Sequence, residues 1–529
     1  MSVELLIEDA TVYPGEGPPL AADVAVCDGK IVAVARELPS TDAGESIDAE
    51  GLILCPGFID MHAHSALKTH EDPLLTPKIA QGFTTELIGP DGLAPAPVAP
   101  ERRGERQQYL CGLETMGPAD WAWSTFDEYL DWLESTRPAS TLVPSIGHNS
   151  VRDRVIGGDR RAPTADELEA MRREVRLGLE AGARTLSFGL IYLPGTYSTT
   201  DELVALAEVA AEFGAPLVPH MRNEGLGVLD AAREMVDVAR RSGAPLHVSH
   251  LKSRNDESLI EPLLALLEEA SADVSLTFDQ YPYGAGSTVL AALLPTWAQE
   301  GGASGTLERL RDPAERERMA EDMELTSPTW EGILASLGAE RVTIANAAPP
   351  NESLAGQTLA EIADGRGVDA ATATFDLLVE SELDVTMVTH YASEEAVRTV
   401  AGHRLQLVGS DAIFGTKPHP RLYGTTARFL GRYAIRDGLI SIEEAVARLT
   451  VRAARRLGLT DRGTIEAGKR ADLVLIDPDS FVDDATFDDP TRFPAGVEGV
   501  WVGGEAVWRD GKPTGARPGG VVRDALARV

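Results

Sequence analysis

The central part of the chain alternates short apolar runs with longer stretches in which apolar residues recur at helical spacing. Runs such as 216–220 and 245–250 are typical of buried strands, and each is followed by a helical stretch. Strands that alternate with helices form parallel βαβ units, and about eight such units lie between residues 56 and 445. The pattern predicts a (β/α)8 barrel over residues 56–463, with a doubly wound open sheet as the alternative. No Gly-x-Gly-x-x-Gly motif follows the first strand of the region, which disfavours the open sheet.

The two ends of the chain have a different pattern, with several short strands and tight turns. The pairs Asp28-Gly29 and Gly503-Gly504 each separate two strand-like runs and are typical of hairpin turns. We therefore predict one small β-sandwich domain built from residues 1–55 and 464–529. Residues 299–345 do not fit a simple βα unit, because a charged helix over 308–323 interrupts the alternation. An inserted subdomain or lid is predicted there.

Composition narrows the classes of partner. The chain has 529 residues and a formal net charge of −35, which argues against nucleic acid and anionic membrane surfaces as partners. Its three cysteines are widely spaced, so we expect reduced thiols and a cytoplasmic location rather than a disulfide framework. We expect no signal peptide and no transmembrane helix, because neither pattern occurs in the sequence. The sequence does not predict an oligomeric state.

Histidines and an aspartate stand at the ends of four predicted strands. His62 and His64 are two residues apart, so their side chains point to one face of a strand. His220, His250 and Asp411 close three further runs. Because the C-terminal strand ends of a (β/α)8 barrel meet at one mouth, these side chains are expected to converge there. Imidazole and carboxylate groups together are typical ligands of a divalent metal such as zinc.

Two other histidines also lie on or after strands. His247 alternates with His250 and is predicted to point to the opposite face, so we assign it a structural role. His148 follows the run 141–146 and is a candidate for supporting a ligand rather than binding the metal.

Longer motifs point to a family. They are residues 56–64, 82–85, 189–195, 220–225, 249–252, 279–288, 409–411, 418–421 and 463–474. In these motifs the chain resembles the D-aminoacylase branch (N-acyl-D-amino-acid deacylases) of the amidohydrolase superfamily, over nearly its whole length. The resemblance implies a metal-dependent amidohydrolase that cleaves the amide of an N-acyl-D-amino acid to a carboxylate and a free D-amino acid. The small-molecule substrate and the D-selectivity are implied by the resemblance alone.

The resemblance also implies Zn²⁺, with one tight site and a second, weaker one. Asp91, His220 and His250 are assigned to the tight site, and His62, His64 and Asp411 to the weaker one. The family's pattern has Gly-Asn-Cys-Gly where this chain has Gly89-Pro90-Asp91-Gly92, so Asp91 stands in place of a cysteine ligand. A carboxylate can replace a thiolate on zinc, and it also suits other divalent metals. Glu86, nearer the start of the same strand, is the alternative ligand.

Roles in catalysis and substrate binding follow from these assignments. Asp411 is predicted to act as general base on the water and then as acid to the leaving nitrogen. The resemblance suggests that the Tyr192 hydroxyl polarises the scissile carbonyl. The substrate α-carboxylate needs cationic partners, and Lys252 and Arg421 are the candidates. Tyr283 is expected to donate a hydrogen bond to the same carboxylate, with Ser287 as a further candidate.

Two other functions are compatible with the same fold. Hydrolases of cyclic amides or imides commonly use a carboxylated lysine between two metals, and no strand-end lysine lies around 140–190. A non-catalytic relative that serves in binding or assembly would have no reason to keep four strand-end histidines and Asp411. Both alternatives are disfavoured on these grounds.

Overall fold

Eight parallel strands form a nearly closed barrel at the centre of the molecule. The computed structural model describes residues 3–39, 43–115, 120–254, 256–326 and 330–528. The barrel strands, first to eighth, are Phe58–Ala63, Phe83–Ile88, Thr141–Gly147, Thr185–Gly189, Leu217–His220, Leu246–Val248, Leu276–Gln280 and Gln406–Val408. The first and eighth strands meet where the Asp411 N–H donates to the His62 carbonyl at 2.8 Å. The predicted (β/α)8 barrel is confirmed.

Helices pack around the barrel and connect its strands. The helix before the fourth strand illustrates how the sequence determines these helices. Thr164 and Glu167 form a capping box at its start. Its apolar residues Met171, Val175 and Leu179 recur at helical spacing and face the core. The connecting helices are Thr76–Ile79, Arg103–Glu114, Phe126–Thr136, His148–Val155, Ala165–Ala181, Thr200–Ala211, Val228–Ser242, Ile260–Ala270 and Glu394–Ala401. After the eighth strand follow Arg421–Thr426, the π-helical Ala427–Arg436, Ile442–Leu449 and Val451–Arg456. No helix within the described ranges has both the length and the apolar character needed to cross a bilayer.

A second sheet joins the two ends of the chain. Its strands are Leu5–Val12, Leu20–Cys27, Lys30–Ala35, Glu45–Asp48, Ile53–Pro56, Leu473–Ile476, Val497–Val502, Glu505–Arg509 and Lys512–Pro513. Leu473–Ile476 pairs with Ile53–Pro56, which brings the C-terminal strands onto the N-terminal ones. Both predicted hairpins are present, at Asp28-Gly29 and at Gly503-Gly504. The short strand Gly520–Val521 pairs instead with the third barrel strand.

A third, antiparallel sheet is inserted between the seventh and eighth barrel strands. It consists of Ala285–Val289, Val342–Ala347 and Val385–His390, with Val385–His390 in the middle. The helices of this inserted region are Gly302–Arg311, Pro313–Met323, Ile333–Leu337, Leu359–Arg366 and Ala370–Glu380. The sheet therefore extends on both sides of 299–345. Val385–His390 is an apolar run within residues 56–445, where barrel strands are predicted, but it pairs in this antiparallel sheet and not in the barrel.

A buried charge cluster lies under the first and second barrel strands. The Lys78 ammonium donates to Asp60 and, at 2.7 Å, to the Ser410 hydroxyl, and it lies 3.6 Å from Glu86 Oε2. The side chains of Lys78, Asp60 and Glu86 are fully buried. Asp60 also accepts the backbone N–H groups of His62 and Ser410, so the cluster fixes the strand end that carries His62.

Lys78→Met is expected to lower the free energy of unfolding by about 3–5 kcal/mol, because two buried carboxylates lose their shared cation. The measurement is a denaturant unfolding curve of both proteins. Lys68→Met is the control, since Lys68 forms a partly exposed pair with Glu71 and should lose at most about 1 kcal/mol. Equal losses in the two variants would contradict a structural role of the buried cluster.

Candidate metal centre

The carboxylate of Asp91 lies between two pairs of histidines at the mouth of the barrel. Its Oδ2 is 3.5 Å from Nε2 of His62 and 3.5 Å from Nε2 of His64. Its Oδ1 is 3.7 Å from Nδ1 of His220 and 3.5 Å from Nε2 of His250. All five side chains are buried. One carboxylate oxygen of Asp91 therefore faces each pair of histidines.

Asp411 approaches the same cluster from the end of the eighth strand. Its Oδ1 is 3.4 Å from His64 Nε2 and 3.6 Å from His62 Nε2. Its Oδ2 lies 2.9 Å from Nη1 of the buried Arg421. The structure thus brings together all six residues predicted as metal ligands.

These groups fit a metal ion better than they fit one another. Both ring nitrogens of His62, both of His220 and Oδ1 of Asp91 are buried without a hydrogen-bond partner among the described residues. Buried polar atoms left in this state cost free energy unless another species satisfies them. Three sets of three ligand atoms lie within 4.8 Å of one another: Asp91 with His220 and His250, Asp91 with His62 and His64, and His62 with His250 and Asp411.

The backbone is strained at three of the candidate ligand residues. Asp91, His250 and Asp411 have φ angles of 55°, 32° and 48°, in the left-handed region that side chains other than glycine rarely adopt. Such conformations cost of order 1–3 kcal/mol each and are concentrated at functional sites. Gly189 permits the turn at Asp91, because a Cβ there would lie 1.8 Å from the Asp91 carbonyl oxygen.

Glu86, the alternative ligand, points away from the histidines. Its two carboxylate oxygens accept hydrogen bonds from Ser65 and Ser140, each at 2.7 Å, and Lys78 is nearby. Glu86 belongs to no set of neighbouring ligand atoms that includes these histidines. Its position inside the second strand therefore places it in the buried charge cluster.

Two carboxylates that sequence reasoning missed hold the ligand histidines from behind. Glu114 Oε1 is 3.0 Å from His64 Nδ1, and Glu224 Oε1 is 2.9 Å from His250 Nδ1. Such contacts orient a ligating imidazole and raise its basicity. Glu224 lies four residues after His220, inside a motif noted in the sequence. Glu114 ends a connecting helix, and no pattern in the sequence marks it.

The two histidines that face Asp91 Oδ1, His220 and His250, differ in pKa. Burial lowers the pKa of His220 to about 3. Burial and Lys252 also oppose a charge on His250, but the carboxylates of Glu224 and Asp91 outweigh them and raise its pKa to about 9. Because a ligating imidazole nitrogen carries no proton, a cation binding at His250 competes with protonation of that ring.

Both carboxyl groups of the cluster stay ionised. Burial opposes their charge, but His62 and its neighbours outweigh it at Asp91, and Arg421 and His62 do so at Asp411. The pKa of each carboxyl therefore falls below its usual range. Two ionised carboxylates among imidazoles provide the negative charge that a divalent cation needs.

The two histidines not assigned to the metal in the sequence analysis, His247 and His148, make contacts outside the six candidate ligands. His247 is 2.8 Å from Thr277 Oγ1 and 2.9 Å from Asp279 Oδ2, as expected for a structural residue. Asp279 also accepts the N–H of His250. His148 is paired with Glu202 at 2.9 Å rather than with a residue of the metal centre.

Tyr192 and Lys252 flank the histidines. The Tyr192 ring packs edge-on against His220, with ring centres 5.1 Å apart, and its hydroxyl is 2.9 Å from Thr288 Oγ1. Lys252 Nζ lies 2.8 Å from Glu224 Oε1, from His250 Nδ1 and from the His250 carbonyl. The Lys252 ammonium is therefore bonded to Glu224 and His250, and it must give up one of these contacts to bind a substrate carboxylate.

Arg421, another carboxylate-binding candidate, contacts the metal centre through Asp411. Besides facing Asp411, its guanidinium donates to the Ser287 carbonyl at 3.2 Å and stacks 4.3 Å from the ring centre of Tyr281. Tyr283 packs instead against Arg428 and His419, and its hydroxyl has no hydrogen-bond partner in the described part of the chain. Tyr281, which sequence reasoning left without a role, is thus the tyrosine that contacts Arg421.

Comparisons with known proteins place the chain among amidohydrolases. A profile of the Amidohydrolase family matches residues 45–508. An N-acyl-D-glutamate deacylase of Alcaligenes xylosoxydans xylosoxydans is 34% identical over 98% of this chain and 96% of its own length. The structure of an N-acyl-D-glutamate deacylase from Bordetella bronchiseptica, complexed with zinc and a phosphonate inhibitor, has a TM-score of 0.84 at 32% identity, covering 99% and 100% of the two chains. A D-aminoacylase structure described for its binuclear metal centre has a TM-score of 0.82 at 31% identity, with the same coverage.

Proposed function

Because the chain belongs to the amidohydrolase family, we propose that it is a zinc-dependent N-acyl-D-amino-acid deacylase. It hydrolyses the amide of an N-acyl-D-amino acid to a carboxylate and a free D-amino acid. The observation that carries the proposal is the Asp91 carboxylate set between two histidine pairs, with Asp411 beside them. The relatives named for deacylation of D-amino acids and the zinc complex of one of them support the substrate class and the metal.

The metal would be held in two positions. His220 and His250 with Asp91 form the tight position, and His62 and His64 with Asp91 and Asp411 form the weaker one. Zinc bound there lowers the pKa of a water molecule and polarises a carbonyl oxygen. Because Asp91 supplies oxygen where the family's pattern has sulfur, other divalent metals are expected to support activity as well.

The protein's own groups move the proton and orient the substrate. Asp411 takes a proton from the attacking water on Oδ1 and delivers it to the leaving nitrogen, while Arg421 holds Oδ2. The Tyr192 hydroxyl donates to the scissile carbonyl oxygen, for which it must leave Thr288. The α-carboxylate of the substrate binds the Arg421 guanidinium near Ser287, with Lys252 and Tyr283 as further partners.

Removal of the metal is expected to abolish hydrolysis, and added zinc to restore it. The substrate for this test is N-acetyl-D-methionine, with N-acetyl-L-methionine as the control for stereoselectivity. Metal content is measured by mass spectrometry on the same samples. Undiminished turnover by protein verified to be free of metal would contradict the proposal, as would preference for the L-substrate.

A further inference from the structure

A cavity next to the metal centre is lined almost entirely by uncharged side chains. It has a volume of about 160 Å³ and is bounded by the inserted region and the loop after the fourth barrel strand. Its wall includes Ile191, Val289, Ala292, Leu294 and Ile333. Tyr192 also lines it, and the ring of Tyr192 packs against the ligand His220. The cavity therefore opens beside the place where the scissile amide must lie.

The strand Ala285–Val289 connects this cavity to the proposed α-carboxylate site. Ser287 and Val289 are two residues apart and so lie on the same face of the strand. Both are partly exposed, whereas Thr288 between them is buried against Tyr192. The Ser287 carbonyl accepts a hydrogen bond from Arg421, and Val289 lies in the cavity wall, so this strand runs from the proposed carboxylate site to the cavity.

Among the described residues, two charged side chains line the cavity, Arg222 and Glu331. Neither provides an unpaired positive charge for a substrate carboxylate. Arg222 lines the wall, but its guanidinium is held by both oxygens of Glu234, at 2.9 and 3.1 Å, and by the carbonyls of Thr196 and Ser198. Four of its five N–H groups are therefore engaged inside the protein. A substrate carboxylate would find no unpaired arginine or lysine on this wall.

The second charged neighbour, Glu331, is an acid and offers no cation to an anionic side chain. Its Oε1 accepts the Glu224 N–H at 2.6 Å, and its Oε2 is buried without a hydrogen-bond partner among the described residues. Arg254 faces Glu331 at 3.9 Å but is also paired with Glu224. Glu224 is also bonded to Lys252, so both nearby cations are already paired with carboxylates of the protein. An acidic side chain in the cavity would therefore remain unpaired.

We infer that this cavity binds the side chain of the D-amino acid and selects large apolar side chains over acidic ones. The inference rests on the proposed function and goes beyond it by naming the substrate class. It separates this chain from its relatives named for N-acyl-D-glutamate. An apolar side chain gains by leaving water for the wall of the cavity, whereas glutamate or aspartate would lose its hydration without gaining a partner.

The test measures kcat/KM of the zinc-loaded, full-length protein for N-acetyl derivatives of D-leucine, D-phenylalanine, D-glutamate and D-aspartate. The apolar substrates are expected to exceed the acidic ones by about 100-fold or more. Equal or better hydrolysis of the acidic substrates would overturn the inference and leave the proposed function standing. If none of the four substrates is hydrolysed, both the proposed function and the inference are overturned.

A pair of variants locates the effect in the cavity. Ala292→Arg adds a cation to the wall, and Ala292→Met adds similar length without charge. The leucine-to-glutamate ratio of kcat/KM is expected to fall by about tenfold or more in the arginine variant and to stay near the wild-type ratio in the methionine variant. An unchanged ratio in a folded, zinc-loaded arginine variant would overturn the assignment.

An acyl series distinguishes the two apolar parts of the substrate. N-formyl, N-acetyl and N-butanoyl derivatives of D-leucine are compared in the wild type and in Ala292→Met. If the variant changes the ranking of acyl groups but not of side chains, the cavity holds the acyl chain, which overturns the inference. If it changes the ratio of kcat/KM between N-acetyl-D-leucine and N-acetyl-D-phenylalanine and leaves the ranking of acyl groups unchanged, the inference is supported.

Discussion

Asp411→Asn is expected to lower kcat by about 10²–10⁴-fold, the range observed for loss of a general acid–base group. The amide keeps the size of the side chain and a hydrogen-bond acceptor, but it cannot take a proton from water at neutral pH. Asp411 Oδ1 is 3.4 Å from His64 Nε2, so the base lies beside the ligands that position the water. The measurement is kcat with N-acetyl-D-methionine at saturating zinc, with the metal content of each sample determined in parallel.

Asp510→Asn is a matched control for this variant. Asp510 is exposed and has a φ of 51°, close to the 48° of Asp411, so both substitutions place asparagine in the same backbone conformation. The control should keep wild-type kcat, since asparagine tolerates this conformation well. If a folded, metal-loaded Asp411→Asn protein kept wild-type kcat, Asp411 would have no part in proton transfer.

Asp91→Ala is expected to lower zinc affinity more than about 100-fold, beyond the loss typical of outer contacts, and to bring activity below detection. The reason is that each Asp91 oxygen faces one histidine pair, so both positions lose a ligand at once. Asp91→Cys should retain zinc, since thiolate is a common zinc ligand, and should narrow the range of metals that support activity. Zinc titration and metal analysis of the purified variants provide the measurement.

Glu86→Gln is the control on the same strand. Its hydrogen bonds with Ser65 and Ser140 can be made by an amide, and its contact with Lys78 concerns the buried charge cluster. Zinc content should therefore stay near the wild-type value, although the protein should be less stable. Loss of zinc in Glu86→Gln together with retention in Asp91→Ala would show that the ligand lies inside the strand.

The sequence predicted the barrel and its mouth because both depend on local pattern. Strands such as Leu217–His220 and Leu246–Val248 are short apolar runs separated by amphipathic helices, which leaves few alternatives to parallel packing. Once the strands are parallel, residues at their C-terminal ends must converge. That is why His220, His250 and Asp411 could be grouped although they are far apart in the chain.

Other features depend on pairings that a local pattern does not reveal. Val385–His390 is apolar like a barrel strand, and its antiparallel partners are set by contacts distant in sequence. Glu114 supports His64 from a connecting helix, where an isolated glutamate has no distinguishing neighbours. Lys252 was correctly placed near His250, but its three contacts inside the protein could be seen only once Glu224 was located.

The hydrogen bond from the Asp411 N–H to the His62 carbonyl links the first barrel strand to the last. His62 and Asp411 stand on opposite sides of this seam, so they become neighbours only when the eighth strand docks and the chain closes on itself. Pairing residues so distant in sequence is a late and slow event in folding, because the loop entropy is paid before the contact forms. Uptake of metal at the proposed positions is thus expected to depend on closure of the barrel. Truncated or partly folded chains will carry the histidines and still fail to assemble the full ligand set, and a bound ion will slow reopening of the seam.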